Sequence, residues 1–112
     1  MSKHDPFLDR MISILLREMI TEGIKRAQIR KNEKATIVLY QKNDRWEIVH
    51  QQALSYHLPI LQELKRLAKI DPHDSGTMHR GHIVIAVENI KHQFLLRFPV
   101  SEQDGPMVDI SY

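Results

Sequence analysis

Leu58-Pro59-Ile60-Leu61-Gln62-Glu63-Leu64-Lys65-Arg66-Leu67-Ala68-Lys69-Ile70-Asp71 decides how the rest of the chain is read. Ile60, Leu61, Leu64, Leu67 and Ala68 recur at the 3-4-3-4 spacing of one helix face, with Asp71 as its polar end. Gln62, Glu63, Lys65, Arg66 and Lys69 occupy the opposite face, so the helix is expected to lie half buried on a core. Pro59 suits the first helical position, where its missing N–H costs nothing, and Pro72 limits continuation. The spacing therefore predicts a helix from Pro59 to about Asp71, with no chemistry of its own.

Upstream, Asp5-Pro6 reads as an N-cap followed by proline in the first turn. Leu8, Met11, Ile12, Leu15, Leu16, Met19 and Ile20 then form an apolar stripe, and Gly23 reads as the stop. This predicts a first helix over about residues 6–22. Ala27 and Ile29 alternate with polar neighbours, the pattern of a short edge strand kept soluble by its charges. Thr36-Ile37-Val38-Leu39-Tyr40 and the alternating Arg45-Trp46-Glu47-Ile48 flank Asn43-Asp44, which predicts a hairpin. Ile83-Val84-Ile85-Ala86-Val87 is continuously apolar, as a central strand would be. After a turn near Glu88-Asn89, Phe94, Leu96 and Phe98 alternate with Leu95 and Arg97, and Val108/Ile110 suggest a last short strand. The expected class is α+β, ordered α-β-β-β-α-β-β-β, with an antiparallel sheet packed by two amphipathic helices. Leu61, Leu64, Leu67 and Ala68 should pack on the sheet, with Trp46 and Phe94 in or beside the core.

The 112 residues make one domain with a modest core. Cysteine is absent, which excludes a disulfide framework, thiolate metal ligands and a cysteine nucleophile. No apolar run approaches the length of a bilayer-spanning helix, and Met1 to Pro6 leads into a charged amphipathic helix rather than a signal peptide. The expected location is cytoplasmic, without membrane insertion. A net charge of +2 does not by itself call for a nucleic-acid partner.

The pattern resembles the accessory domain that precedes the motor domain in the ATPases of type II secretion and type IV pilus systems. There a helix runs into Gly-Ala-Ser-Asp-Ile-His-Ile; here the matching register is Gly23-Ile24-Lys25-Arg26-Ala27-Gln28-Ile29. The family's hairpin Tyr-Arg-Ile-Asp-Gly falls on Tyr40-Gln41-Lys42-Asn43-Asp44. The family's Leu-Lys-x-Met-Ala-x-Leu-Asp-Ile-Ala-Glu-Arg-Arg-x-Pro-Gln-Asp-Gly-Arg-Ile lies without gaps over Leu64 to Ile83, and a later Arg-Val-Ser and Gly-Glu match Arg97 and Gly105. The likeness spans roughly residues 10–110 and consists mostly of apolar pattern.

The departures bear on function. Two family arginines correspond to Ser75 and Gly76, a third to His82, and the Asp and His near the first strand become Arg26 and Gln28; Arg97 is retained. No Gly-x-x-x-x-Gly-Lys-Ser/Thr phosphate loop occurs. The resemblance therefore implies a non-enzymatic protein-interaction or adaptor domain without cofactor, whose partner is secretion or pilus machinery or a second copy. By the same resemblance, Asp71, Asp74, Arg80, His82 and Arg97 form the interacting face. ATP hydrolysis and tight ATP binding are not expected.

Three other constellations carry weight. The basic segment from Lys25 to Lys34 could track nucleic-acid phosphates through Lys25, Arg26, Arg30 and Lys31, but it lacks interleaved aromatics. His73, His79 and His82, with Asp71 and Asp74, have metal-ligand chemistry without a known spacing, so no metal is assigned. Ser75 and Ser101 lack any nucleophile-elbow context.

Overall fold

The computed structural model describes residues 6–71, 79–101 and 105–112. The architecture is α+β: α1 (Pro6–Glu22), β1 (Arg26–Lys31), β2 (Ala35–Lys42), β3 (Arg45–Ala53), α2 (His57–Leu67), β4 (His79–Val87), β5 (Ile90–Phe98), β6 (Val100–Ser101), β7 (Gly105–Pro106) and β8 (Val108–Ser111). This is the expected order, with the small β6–β7 ribbon added before the last strand. Six strands form one antiparallel sheet in the order β3-β2-β1-β8-β5-β4.

Both helices stand on the same side of that sheet. Ile12, Leu15, Leu16 and Met19 of α1 and Ile60, Leu61 and Leu64 of α2 are buried against Ala27, Ile29, Val38, Tyr40, Phe94, Leu96, Val108 and Ile110. Both long hairpins turn through two residues with positive φ, Asn43 (50°) with Asp44 (66°) and Glu88 (52°) with Asn89 (67°). That is the geometry whose twist matches antiparallel strands. Helix α1 stops where Gly23 takes φ 69° and Ile24 N–H reaches back 2.9 Å to Met19 O.

The second helix is shorter at one end and longer at the other than its spacing predicts. It starts at His57, after a single 3-10 turn over Leu54–Tyr56. Pro59 is thus its third residue, still among the four whose N–H has no partner within the helix. It stops because Lys69 adopts φ 62° and Ile70 N–H bonds Lys65 O at 2.8 Å, the helix-ending arrangement usually given to glycine. Asp71 therefore lies beyond the helix and is exposed. Leu67, expected in the core, is 37% exposed because the helix ends beside a groove at the β4 side of the sheet.

Two strand positions are exchanged relative to expectation. β1 lies inside the sheet between β2 and β8, whereas β4, with its apolar run, lies at an edge. The C-terminal strand β8 is the cause: it inserts between β1 and β5, a pairing between chain ends that leaves no local trace in the sequence. Ile83 is buried toward the helices, while Val84 is 55% exposed on the opposite face.

Gly81 marks a close approach of the chain after α2 to the sheet. A Cβ there would stand 2.7 Å from Ala68 Cβ and 2.9 Å from Ala68 O. Gly81→Ala is expected to lower stability by about 1–3 kcal/mol through overpacking. Urea unfolding checks this; an unchanged midpoint would contradict the contact.

Candidate functional site

The side of the sheet away from the helices has no element packed on it among the described residues. Its composition follows from strand register, because residues directly opposite in an antiparallel pair share a face. One row across the sheet runs Ile48, Leu39, Gln28, Asp109, Arg97, Arg80. A neighbouring row carries Trp46, Gln41, Arg26, Ser111, Leu95 and His82, and Arg30 follows beside Ile37. Among the described residues the uncovered face thus gathers five basic side chains, Arg26, Arg30, Arg80, Lys91 and Arg97, against the single carboxylate of Asp109. Since the whole chain carries only +2, positive charge is concentrated here.

Apolar surface lies among these cations. Ile48 is 51% and Trp46 37% exposed. Trp46 was expected in or beside the core; in the strand alternation of β3 it falls on the open face instead. The Arg26 guanidinium stands over its ring, 5.4 Å from the centroid, and also bonds Asp109 Oδ2 at 2.8 Å. Asp109 Oδ1 and Arg30 Nε are buried without a hydrogen-bond partner among the described residues.

The two groups of residues singled out from the sequence are redistributed. Arg80, His82 and Arg97 share the open face with Arg26 and Arg30. Asp71 sits apart, beyond α2, and Asp74 lies outside the described residues. Lys25 and Lys31 part company with Arg26 and Arg30. Lys25 Nζ lies 4.9 Å from the centre of the Tyr112 ring, and Lys31, in the register of buried Ile29, runs beside Gly105. The basic segment is thus not one continuous track. His79 and His82 project to opposite faces, opposite Phe98 and Leu95, while His73 and Ser75 lie outside the described residues. Among the described residues no three His, Asp or Glu side chains are grouped to hold a metal ion.

A titratable cluster not singled out from the sequence sits between α1 and β3. Glu18 Oε1 accepts from Tyr40 Oη and from His50 Nε2, each at 2.7 Å. Burial works against the Glu18 charge, but the bonds from His50 and Tyr40 outweigh it and hold its pKa below the usual glutamate value. Burial, reinforced by the Glu18 charge, pushes the Tyr40 phenol far above its usual value. A bulge at Val38/Leu39 shifts the β3 register, so that His50 faces the helix side while Ile48 faces outward. The adjoining groove, lined by Phe7, Met11, Ile14, Val38 and His50, measures about 160 Å³. That is well below the roughly 300–1,000 Å³ of ordinary cofactor sites.

His57 is also a buried ionisable group, 2% exposed. Its Nε2–H donates to Pro106 O at 2.7 Å, so Nδ1 accepts from the Thr36 hydroxyl at 2.9 Å. Burial, aided by the nearby Lys31 charge, lowers its pKa below the ordinary value despite the Pro106 bond. A depressed histidine contributes stability that is present above about pH 6.5 and is lost as pH falls below it, because only the unfolded chain takes up the proton readily. Urea titrations at pH 7.5 and 5.5 should show a loss of up to about 1 kcal/mol that disappears in His57→Gln. An equal loss in that variant would assign it elsewhere.

No protein-family model matches the chain, and no curated protein does. No described helix is long and apolar enough to cross a membrane.

Proposed function

We propose that the chain is a non-catalytic protein-interaction domain, an adaptor of the kind the secretion and pilus ATPase accessory domains represent. The observation that carries this reading is the uncovered sheet face. It combines Arg26, Arg30, Arg80 and Arg97 with exposed Trp46 and Ile48 on a rigid strand platform. Arginine and tryptophan are the side chains that dominate binding energy at protein interfaces. A surplus of positive charge there suits an acidic partner surface. The resemblance points to the motor of a secretion or pilus ATPase as that partner, and to the cytoplasm as the location.

Binding of the chain to such a motor domain, followed by biolayer interferometry, tests the reading. Arg80→Ser/Arg97→Ser should weaken binding at least tenfold, through on-rate and off-rate together. Failure of the wild-type chain to bind the motor would remove the assignment.

The alternative, a nucleic-acid module using Lys25, Arg26, Arg30 and Lys31, has less support because those cations divide between two faces. Anisotropy titrations with mixed-sequence oligonucleotides should show weak binding that vanishes near physiological salt. Sub-micromolar affinity under those conditions would reverse the ranking.

A further inference from the structure

The two edges of the sheet are protected very differently. β3 carries a bulge and the charged residues Arg45 and Glu47, devices that discourage further strand pairing. β4 runs straight through nine paired residues without bulge, proline or lysine. Its two-residue hairpin fixes which backbone groups are free. Val87 and Ile90 close the hairpin, so the odd-numbered residues of β4 bond β5. The N–H and C=O groups of Arg80, His82, Val84 and Ala86 therefore point outward, and no strand among the described residues takes them.

We infer that this edge pairs with the same edge of a second copy, antiparallel and centred on Ile83. In that register His82 stands opposite Val84 of the other copy and Arg80 opposite Ala86, so every outward group of both edges is bonded. A register centred on Val84 would leave Arg80 unpaired. The Ile83-centred one also sets the charged half of each strand against the apolar half of the other, so no like charges meet. The edge is complementary to itself in this way, and a second copy is therefore the partner it fits.

The helix side supports the same pairing. Beside the edge a groove of about 400 Å³ is lined by Asp9, Arg17, Arg66, Leu67, Ile83 and Ile85. A two-fold axis through Ile83 brings this groove against its counterpart, covering Leu67 and placing charges of both signs on each rim. Antiparallel pairing keeps the two sheets facing the same way, so the basic faces merge into one. The inference stands independently of the partner proposed above.

Sedimentation velocity on the full chain over a wide concentration range tests it, with amide exchange followed by NMR. A monomer–dimer equilibrium is expected. His82→Lys/Val84→Lys, both on exposed positions, should weaken it at least tenfold, while Gln51→Lys, exposed on β3, leaves it intact. The Arg80, His82, Val84 and Ala86 amides should exchange slowly in the dimer and rapidly on dilution. A monomer at all concentrations, or a dimer that survives the double lysine substitution with those amides still exchanging rapidly, would overturn the inference.

Discussion

Leu64→Ala is expected to lower the unfolding free energy by about 2–5 kcal/mol. Leu64 is 0% exposed, on the face of α2 that also buries Ile60 and Leu61 against the sheet. Removing its isobutyl group forfeits the transfer energy of the buried carbons and leaves a cavity that the helix cannot close without moving its neighbours. Domains of this size have about 5–15 kcal/mol of stability in total, so the variant should unfold at a markedly lower urea concentration. A loss below about 1 kcal/mol would mean that α2 is not seated as described.

Phe94→Ala should cost about 3–5 kcal/mol, the largest effect of any single truncation considered. Phe94 is fully buried in β5, opposite Ile83 of β4. Its ring stacks on Tyr112 at a centroid distance of 4.9 Å. Tyr112 also lies under Lys25 and bonds His92, so the loss extends to the anchoring of the C-terminal residues. Trp46→Ala, by contrast, should cost only about 1 kcal/mol, the worth of a half-exposed ring and its cation–π contact. Urea titrations of the pair give the comparison, and a larger loss for Trp46 than for Phe94 would reverse the assignment of faces.

Those two aromatics show what was legible in the sequence. Trp46 stands between Arg45 and Glu47 and Phe94 between Gln93 and Leu95, and such alternation reports that a strand has two faces without saying which face the helices cover. The helices themselves were readable because a 3.6-residue stripe is a local property. Lys69 in a glycine-like conformation, which ends α2 early, has no such signature. Strand neighbours were equally silent. The apolar run of β4 resembles a buried central strand, yet the return of β8 to the middle of the sheet puts β4 at the edge. Arg26, Arg30, Arg80, His82 and Arg97 were each visible as candidates, but they fell into two unrelated groups until the register across β1, β8, β5 and β4 brought them to one face. The Glu18–Tyr40–His50 cluster was missed because it depends on a bulge.

The central claim, that the open face of the sheet is a protein-binding surface, has a built-in reporter. Trp46 is the only tryptophan in the chain and stands on that face under Arg26. Its fluorescence, followed with acrylamide quenching during titration with the motor domain of a secretion or pilus ATPase stripped of its own tryptophans, reads occupancy of the face directly. The account predicts a blue-shifted emission and a several-fold fall in quenching as the complex forms. Saturable binding that leaves both emission and quenching of Trp46 unchanged would contradict it.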